Sequence, residues 1–518
     1  MSGTLLLTRL ALRQDRVLVA VWTLALTAFC YASAAATPSL YANAAERASA
    51  ARAINDNPAV VALYGPILDV HSAGELAMTK ATVLYAVFVA LLGMILVRRH
   101  TRTDEESGRT ELVSAGVVGR HAPLTAAMLA VSVVFLVIGL LAALADIAGG
   151  LAVGGSLLFG LSWLLLGLTG SAAALVAAQL VPSARTCAAI AGGIIGLLYL
   201  LRAVGDTSAA PLSWLTPFGW ATRLRAWSDP RWWVLFLYVV LLVAMVALAF
   251  TLRARRDLGA GLVAARPGPA VGPPRLRNSL ALELRLHRGM LIGWSVSLLA
   301  MGALMGAIAP GVSGMLTGQA AQEMIRRLGG PGNLERTLIA AEASIAALVV
   351  TAFAISVVAH AAHDEQNGIA ERTLSTGATR RSLLGSTVAV AACGALWLSL
   401  ATGLGVAVGY HRDIAPVLLS VLAAAPAVLV VIAVCVLGWA LHPAWYVAGW
   451  VALGLSIVAG QIAELLGLPT WVGGISPYSH LALVPSEAFR VLPAVVLLLI
   501  AVAVGAVAWL SYRRRDIG

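Results

Sequence analysis

Long apolar runs alternate with short polar stretches along almost the whole chain. A run of about 20 apolar residues can cross the hydrocarbon of a bilayer as a helix, and a helix bonds all its backbone groups internally. The pattern therefore predicts an all-α polytopic membrane protein of about twelve transmembrane helices. Their approximate cores are 17–36, 81–97, 122–145, 152–178, 187–204, 232–252, 289–308, 341–359, 384–408, 414–441, 445–466 and 492–511. The runs at 152–178 and 414–441 are long enough for a tilted or broken helix.

Three polar patterns occur twice along the chain in the same order, which indicates an internal duplication. They are an L-x-L-R-x-x-R-x5-W stretch at the start of each half, an acidic stretch after the second apolar run, and a Ser/Thr-Pro-aromatic turn before the last run. We predict a first six-span half at 1–252, a cytosolic Pro/Gly/Arg linker at 253–279, and a second six-span half at 280–518. Because each half has an even number of spans, the repeat is parallel rather than inverted.

Composition and charge agree with a membrane protein. Charged residues make up 11% of the chain, against about 25% in soluble globular proteins. The formal net charge of +11 does not indicate a nucleic-acid partner, because the arginines cluster where apolar runs end. With twelve spans most of these clusters fall on one side, which the positive-inside rule makes the cytoplasm. We therefore predict that both termini are cytoplasmic.

The first repeated pattern interleaves leucines with arginines. Its basic residues are Arg13 and Arg16 in the first half and Arg285 and Arg288 in the second. Such a helix can lie in the headgroup layer, with its arginines toward lipid phosphate and its leucines toward the acyl chains. We predict an amphipathic elbow helix at the start of each half. The alternative is an ordinary helix end with snorkelling arginines.

The second repeated pattern is an acidic cassette with the frame H-x-x-x-D-E-x-x-G-x-x-E. Its members are His100, Asp104, Glu105, Gly108 and Glu111 in the first half, and His360, Asp364, Glu365, Gly368 and Glu371 in the second. Glycine can turn a helix at this place, and carboxylates in a short cytosolic stretch can accept charge-assisted hydrogen bonds from a soluble partner. We predict a cytosolic coupling helix in each half at which a partner docks. The alternative is a solvated loop that keeps two helices apart.

The third repeated pattern lies in the last outer loop of each half. It reads Thr216-Pro217-Phe218 in the first half and Ser476-Pro477-Tyr478 in the second. Proline suits the first turn of a helix, so the pattern predicts a short re-entrant helix that starts at this turn. The alternative is an interfacial belt of aromatic side chains.

The sequence contains none of the common nucleotide-binding, metal-binding or catalytic motifs considered below. A P-loop needs glycine-rich backbone amides and a lysine, but Lys80 is the single lysine and follows Ala-Met-Thr. HExxH, CxxC and GxSxG patterns are also missing from the sequence. We predict no catalytic residue, no metal site and no cofactor held by this chain.

The order of these elements resembles the ABC-2 type exporter permease, with an elbow helix, an acidic cytosolic element before the third span and an outer re-entrant turn before the sixth. Two such halves in one chain are similar to the tetronasin and polyketide-antibiotic ABC exporter permeases of actinobacteria. The resemblance covers nearly the whole chain, and its most specific part is E-x-x-G-x-x-E-L at Glu105–Leu112. The second copy departs from it, with Arg372 in place of leucine and one extra residue before Ser375, so we expect docking at the second half to be less regular.

The resemblance implies a transport subunit rather than an enzyme. It would pair with two copies of a soluble P-loop ATP-binding subunit, which would hold ATP and Mg²⁺ and dock on the two cassettes. The complex would export hydrophobic or amphipathic compounds, such as drugs, polyketide antibiotics or lipids, across the inner (plasma) membrane of a bacterium.

Few side chains in the spans are candidates for contact with such a cargo. They are Trp163, Trp397, Trp450, Gln461 and Glu464. An ionisable group within a membrane is a functional-site candidate, although the polar residues among these can equally lie at the outer interface.

The runner-up function is a twelve-span, proton-coupled secondary drug efflux transporter. Its usual loop between the second and third spans is of the type G-x-x-x-D-R-x-G-R-R, whereas this chain has Asp-Glu-Glu-Ser-Gly-Arg there. The spans also offer no evident proton-relay carboxylate. A third reading, a membrane scaffold without transport activity, is compatible with the repeated cassettes.

Overall fold

The computed structural model describes residues 3–41, 43–116, 118–119, 121–263, 270–274, 276–309, 334–411, 414–462 and 470–515, without the side chains at 114, 334, 335, 461, 462 and 470. Every regular element in these ranges is helical. Twelve of the described helices are long and apolar enough to cross a membrane. The predicted all-α polytopic fold is therefore confirmed.

The chain divides into two units, Met1–Gly268 and Pro269–Gly518. The α-helices of the first unit are α1 (Thr4–Gln14), α2 (Arg16–Leu40), α3 (Ala44–Asn55), α4 (Pro58–Tyr64), α5 (Ala73–Lys80), α6 (Ala86–Arg98), α7 (Asp104–Glu106), α8 (Arg109–Ser114), α9 (Ala122–Ala148), α10 (Val153–Leu180), α11 (Ala184–Thr207), α12 (Ala210–Ser213), α13 (Pro217–Arg223) and α14 (Val234–Ala254). Two π-helical turns, Ala81–Tyr85 and Arg99–Thr103, flank α6. The second span therefore runs without a break from Ala73 to Glu106.

The α-helices described in the second unit are α15 (Ser279–Ile308), α16 (Leu334–Gln366), α17 (Ile369–Leu374), α18 (Arg380–Tyr410), α19 (Ile414–Ala423), α20 (Ala425–Leu441), α21 (Val447–Ile457), α22 (Thr470–Gly473) and α23 (Val491–Arg514). Short 3-10 helices lie at Pro443–Tyr446 and Pro477–His480, and a π-helical turn lies at Val458–Ile462.

The two halves begin differently. In the first half the elbow pattern is divided: its first residues end the separate helix α1, and after Asp15 the spanning helix α2 begins at Arg16. In the second half the same pattern forms the first turns of α15, which continues into its span. Asn278 caps α15 by accepting a hydrogen bond from the Ala281 amide, so this helix starts before the pattern begins.

The two longest apolar runs also behave differently. α10 crosses its run without a break. The run at 414–441 is divided into α19 and α20 at Ala424. Pro426 stands in the first turn of α20, and proline has no N–H to continue the hydrogen bonds of a preceding helix. The predicted tilt or break is thus a break in the second half only.

The core of the first unit surrounds α10. This helix packs against α6, α9 and α14, and most of its side chains are buried. It is rich in Gly, Ala and Ser, small residues that let helix backbones approach closely in a membrane. At Gly170 an added methyl group would lie 2.2 Å from the carbonyl oxygen of Ala90 on α6. Close backbone contacts therefore help to hold α10 between its neighbours, beside the large buried side chains that it also carries.

In the second unit two G-x-x-x-G pairs face each other. Gly302 and Gly306 of α15 lie against backbone atoms of α18, and Gly405 and Gly409 of α18 lie against backbone atoms of α15. Paired small residues at this spacing are a common contact between transmembrane helices. The first and third spans of the second half are therefore in direct backbone contact.

Replacing Gly306 with Ala is expected to loosen this contact. The new methyl group would lie 2.2 Å from the carbonyl oxygen of Val406, so α15 and α18 would have to separate. Overpacking of this kind costs about 1–3 kcal/mol, and we expect a lower thermal unfolding midpoint in detergent. Gly293 on the same helix has nothing within 4 Å, which makes Gly293→Ala the matched control. Equal midpoints for the two variants would contradict the close packing.

Candidate functional site

The first cassette lies where the second span ends. The turn Arg99–Thr103 leads into α7, and Gly108 separates α7 from α8. Gly108 has a φ of 74°, which L side chains rarely adopt. Gly368, its counterpart, has a φ of 71° and separates α16 from α17. In both halves the glycine turns the chain from a span into a short second helix, at the position predicted for the coupling helix.

Glu105 is the centre of a buried ion cluster. Its side chain is 7% exposed, and its carboxylate lies 2.8 Å from Arg102, 3.2 Å from Arg253 and 2.8 Å from Arg256. Arg253 lies in the last turn of α14, the sixth span, and Arg256 lies two residues beyond the end of that helix. Hydrogen bonds between ionised partners are roughly twice as strong as neutral ones. The cluster therefore holds the first cassette to the end of the sixth span.

The same arginines reach the end of the fourth span. Arg256 Nε donates to Gln179 Oε1 at 2.7 Å, and Arg102 Nε donates to the carbonyl oxygen of Ala178 at 2.5 Å. Both acceptors are in the last turn of α10. The carbonyl oxygen of Ala260, in the linker, accepts from Arg102 at 2.8 Å and from Arg256 at 2.9 Å. A displacement of α7 would therefore act on the ends of α10 and α14 together.

Glu365, the equivalent residue of the second cassette, is held by fewer groups. Its side chain is 7% exposed and forms an ion pair with Arg515, next to the end of α23. Trp439 Nε1 in α20 donates to its other oxygen at 2.8 Å, and Arg515 donates to the carbonyl oxygen of Trp439 at 2.6 Å. The second cassette is thus also bound to the fourth and sixth spans of its half.

The carboxylates of each cassette divide into an inward and an outward set. We predicted carboxylates that face a partner, but Glu105 and Glu365 face arginines of their own chain, because the helix that carries them turns these positions toward the bundle. Glu111 and Glu371 are exposed. The docking role stays a prediction, and among the glutamates it now rests on this outward pair.

The aspartate of each cassette lies one helical turn beyond its histidine. Asp104 is 4.0 Å from His100 and 3.4 Å from Arg109, and its side chain is 25% exposed. Asp364 is 3.9 Å from His360, and its side chain is 26% exposed. Both aspartates are therefore partly accessible from outside the bundle.

The histidine of each cassette contacts the elbow pattern of its own half, a contact that we call the elbow joint. In the first half His100 Nε2 lies 2.5 Å from Asp15 Oδ2, and Arg99 Nε lies 3.1 Å from the other oxygen of Asp15. In the second half the ring of His360 meets that of His287, with centroids 5.2 Å apart and planes at 85°. Asp15 and His287 occupy the same position of the L-x-L-R-x-x-R pattern.

The arginines of the elbow pattern point outward. Arg13, Arg16, Arg285 and Arg288 are all exposed. Their contact with lipid phosphate remains a prediction, since exposure alone is equally compatible with snorkelling.

The outer turn of the first half starts a short helix, α13. Thr216 Oγ1 accepts a hydrogen bond from the Gly219 amide at 3.0 Å, and Pro217 occupies the first turn. Phe218 is buried, and Tyr238 of α14 donates to the carbonyl oxygen of Pro217 at 2.5 Å. The helix start predicted from Thr-Pro is therefore present and is packed against the sixth span.

The outer turn of the second half is less regular. Ser476 precedes a single 3-10 turn that begins at Pro477. Tyr478 forms a 2.6 Å hydrogen bond with Thr351 of α16. Burial raises the pKa of Tyr478 above its usual range, and the hydrogen bond to Thr351 offsets part of this effect. The phenol is therefore neutral at physiological pH and acts as a structural hydrogen-bonding group.

The residues predicted to contact a cargo are not equivalent. Trp163 is fully buried and donates from Nε1 to the carbonyl oxygen of Ala81 at 3.1 Å, so it is a core residue of the first unit. Trp397 and Trp450 are 52% and 42% exposed. The side chain of Gln461 and the whole of Glu464 lie outside the described residues. A cargo role stays a prediction for Trp397 and Trp450.

Arg202, at the end of the fifth span, is buried in a hydrogen-bonded network. It forms a 3.1 Å ion pair with Asp206, and both side chains are fully buried. Its guanidinium donates to the carbonyl oxygens of Val61 at 3.2 Å and Ala62 at 2.5 Å. These carbonyls belong to the last turn of α4, where cations are favourable. Arg202 thus attaches the segment of α3 and α4, between the first and second spans, to the end of α11.

The spans contain a carboxylate that the sequence analysis did not assign. Asp146 lies in the last turns of α9, which extends three residues beyond the predicted core 122–145. The residue is fully buried, and neither carboxylate oxygen has a hydrogen-bond partner among the described residues. Buried, unpaired carboxylates in membrane spans are rare and often functional. The absence of a proton-relay carboxylate stays a prediction, and Asp146 is the residue on which it depends.

The arginines of the ion clusters were also missed, although the sequence carries a signal for them. Arg253 and Arg256 are three positions apart, which places them on one face at the end of the sixth span. Arg515 stands at the end of the twelfth span. We attributed these charges to the positive-inside rule alone. Their pairing with carboxylates about 150 positions away leaves no trace in a single sequence.

Comparison with known proteins gives two matches. The family model of the C-terminal domain of the multidrug efflux system permease Rv1217c matches residues 276–513. The whole chain is 36% identical to the multidrug efflux system permease protein Rv1217c of Mycobacterium tuberculosis over 526 residues. That alignment covers 100% of this chain and 95% of the relative.

Proposed function

Because this chain belongs to the family of the multidrug efflux system permease Rv1217c, we propose that it is the permease subunit of an ATP-driven exporter. Two copies of a soluble P-loop ATP-binding subunit bind and hydrolyse ATP with Mg²⁺. The chain itself moves hydrophobic or amphipathic compounds, such as drugs, polyketide antibiotics or lipids, out of the cell. It resides in the bacterial plasma membrane with both termini in the cytoplasm, where the ATP-binding subunits dock on the two cassettes.

The observation that carries this proposal is the buried connection between each cassette and two spans of its half. Glu105 binds Arg256 just beyond the sixth span, and Arg256 in turn binds Gln179 at the end of the fourth. Glu365 binds Arg515 just beyond the sixth span of its half and Trp439 near the end of the fourth. A loop that merely separates two helices needs no such cluster. With it, a force applied to α8 or α17 reaches the spans through ion pairs and hydrogen bonds.

The outward face of each cassette supplies groups for a partner. Glu111 and Glu371 are exposed, and Leu112 is 79% exposed. Hydrogen bonds to charged groups contribute about 1.5–3 kcal/mol each when partly shielded from water. Arg372 replaces leucine in the second half, so the two docking surfaces differ in charge. Since the sequence has no P-loop, the partner is also the source of energy.

Proton-coupled efflux is the second candidate function, and Asp146 is the observation that favours it. An unpaired carboxylate inside a span is the kind of group that carries protons in secondary transporters. In that case the chain would work without an ATP-binding partner.

Reconstitution of the purified chain in liposomes distinguishes the two functions. We expect efflux of a fluorescent hydrophobic drug only when a P-loop subunit, ATP and Mg²⁺ are present. We also expect such a subunit to co-purify with the chain from its own membranes. The double variant Glu111→Arg/Glu371→Arg should lose the subunit and its stimulated ATPase activity, because both outward carboxylates are reversed in charge, yet insert into the membrane normally.

The conservative variant Glu111→Gln/Glu371→Gln is the matched control and should retain partial binding. Efflux driven by a proton gradient with the chain alone would refute the ATP-driven function. Full ATPase stimulation by the charge-reversed variant would refute docking on the cassettes while leaving the ATP-driven function in place.

A further inference from the structure

The two elbow joints are built from different ionisable pairs at matching positions. The first half joins a carboxylate, Asp15, to the imidazole of His100. The second half joins the imidazole of His287 to that of His360. The two pairs respond to protons in opposite ways, since a protonated imidazole attracts a carboxylate and repels another protonated imidazole.

We propose that the elbow joints form a pH switch that acts on one half of the chain. Acidification leaves the joint of the first half closed and opens that of the second half. The contact concerned lies between the elbow pattern and the cassette of the same half. Acidification would therefore release the cassette of the second half from its elbow while the first remains fixed.

Burial makes the second joint sensitive to charge. His287 is 4% exposed, and its Nε2 has no hydrogen-bond partner among the described residues. Its Nδ1 is 3.0 Å from the carbonyl oxygen of Glu283. The side chain of His360 is 35% exposed, so protons can reach it from solvent. Charging both rings would place two cations about 5 Å apart in a partly dry site, where like charges are poorly screened.

In the part of the chain that the structure describes, two carboxylates lie one helical turn from the rings of the second joint, and their negative charge opposes this repulsion. Asp364, one turn beyond His360, is 3.9 Å from that ring. Glu283, one turn before His287, is buried, and its carboxylate accepts a hydrogen bond from Thr387 of α18 at 3.0 Å. Asp364 has its counterpart in the first half, so it does not distinguish the two joints.

The first joint keeps its attraction at every pH near neutral. Asp15 is 4% exposed in its side chain and contacts Arg99 as well as His100. Arg99 stays charged when His100 is neutral, and protonation of His100 adds a second cation beside the same carboxylate. Asp104, at 4.0 Å from His100, is the other charged group of this joint. A cavity of about 260 Å³ lined by His100 and Asp104 gives protons access.

Hydrogen exchange of the full chain in lipid nanodiscs tests the switch at pH 5.5 and pH 8.0, with exchange times scaled for the intrinsic rate. We expect the amides of 359–371 to exchange about fivefold faster or more at the lower pH, the modest end of what two like charges about 5 Å apart produce. The amides of 99–111 should exchange at the same rate or more slowly. Equal protection of 359–371 at both pH values would overturn the proposal.

Two variants separate the switch from a general loosening at low pH. His287→Asp builds the pair of the first half into the second and should abolish or reverse the acid effect at 359–371, and an acid effect that persists would overturn the proposal. Asp15→His builds the reverse pair and should create an acid effect at 99–111, even if His287→Asp folds poorly. Since no ATP-binding subunit is needed, either result leaves the proposed function untouched.

Discussion

Replacing Glu105 with Ala should destabilise the first unit by about 3–5 kcal/mol, the range found when one partner of a buried ion pair is removed. The substitution would leave Arg102, Arg253 and Arg256 facing one another without their shared anion. Arg102 is fully buried, so water cannot replace the lost carboxylate without opening the cluster. The result should be a lower thermal unfolding midpoint and a loss of ATP-dependent efflux.

The exposed glutamate of the same cassette provides the control. Glu111→Ala removes an equal charge six positions later and should change the unfolding midpoint little, since exposed substitutions usually stay within about 0.5 kcal/mol. Glu365→Ala should have an intermediate effect, because one described arginine loses its partner there instead of three. The buried cluster would be refuted as a stabilising element if Glu105→Ala and Glu111→Ala unfolded at the same temperature.

Arg202→Met should detach the segment of α3 and α4 from the end of the fifth span. The variant would leave the Asp206 carboxylate buried with Ser213 as its remaining hydrogen-bond partner. It would also remove the donor that the carbonyl oxygens of α4 now share. An uncompensated buried charge again costs about 3–5 kcal/mol. We expect the amides of 43–64 to lose protection against hydrogen exchange and the unfolding midpoint to fall.

Two other arginine substitutions serve as controls for this result. Arg202→Lys keeps the charge but replaces the planar guanidinium fork, which spans Asp206 and two carbonyl oxygens, with a single compact ammonium, and it should give partial protection. Arg52→Met changes an exposed arginine of α3 and should leave exchange of 43–64 nearly unchanged. Unaltered protection of this segment in Arg202→Met would mean that the loop is held by its apolar contacts alone.

The architecture was predictable because each span is encoded locally. An apolar run of sufficient length specifies a helix that needs no partner to satisfy its backbone, which is why the number of spans could be predicted before any packing was known. The break at Ala424 was foreshadowed by the length of its run, and Pro426 supplies the reason for its position. The unbroken path of α10 depends on Gly and Ser contacts with its neighbours, which a single sequence does not reveal.

The candidate site was predictable in position but not in orientation. The repeated frame located Gly108 and Gly368 at the turns where short helices begin. It did not indicate that Glu105 turns inward, because the three arginines that draw it there are a property of the folded chain. The contact at the elbow joint could not be predicted from the sequence for the same reason. His100 is a fixed position of the cassette, whereas its partner Asp15 is a variable position of the elbow pattern, so the sequence did not indicate that the two meet.

The unequal ion clusters give the two halves unequal tolerance of genetic change. In the first half a mutation that removes Arg253 still leaves Arg102 and Arg256 beside the shared carboxylate. In the second half the described partner cation of Glu365 is Arg515 alone. A single substitution at Arg515 would therefore leave Glu365 without its described cation, whereas the first half tolerates the loss of one arginine. The first cassette thus has more than one arginine that can neutralise its buried glutamate, whereas the second has a single described arginine.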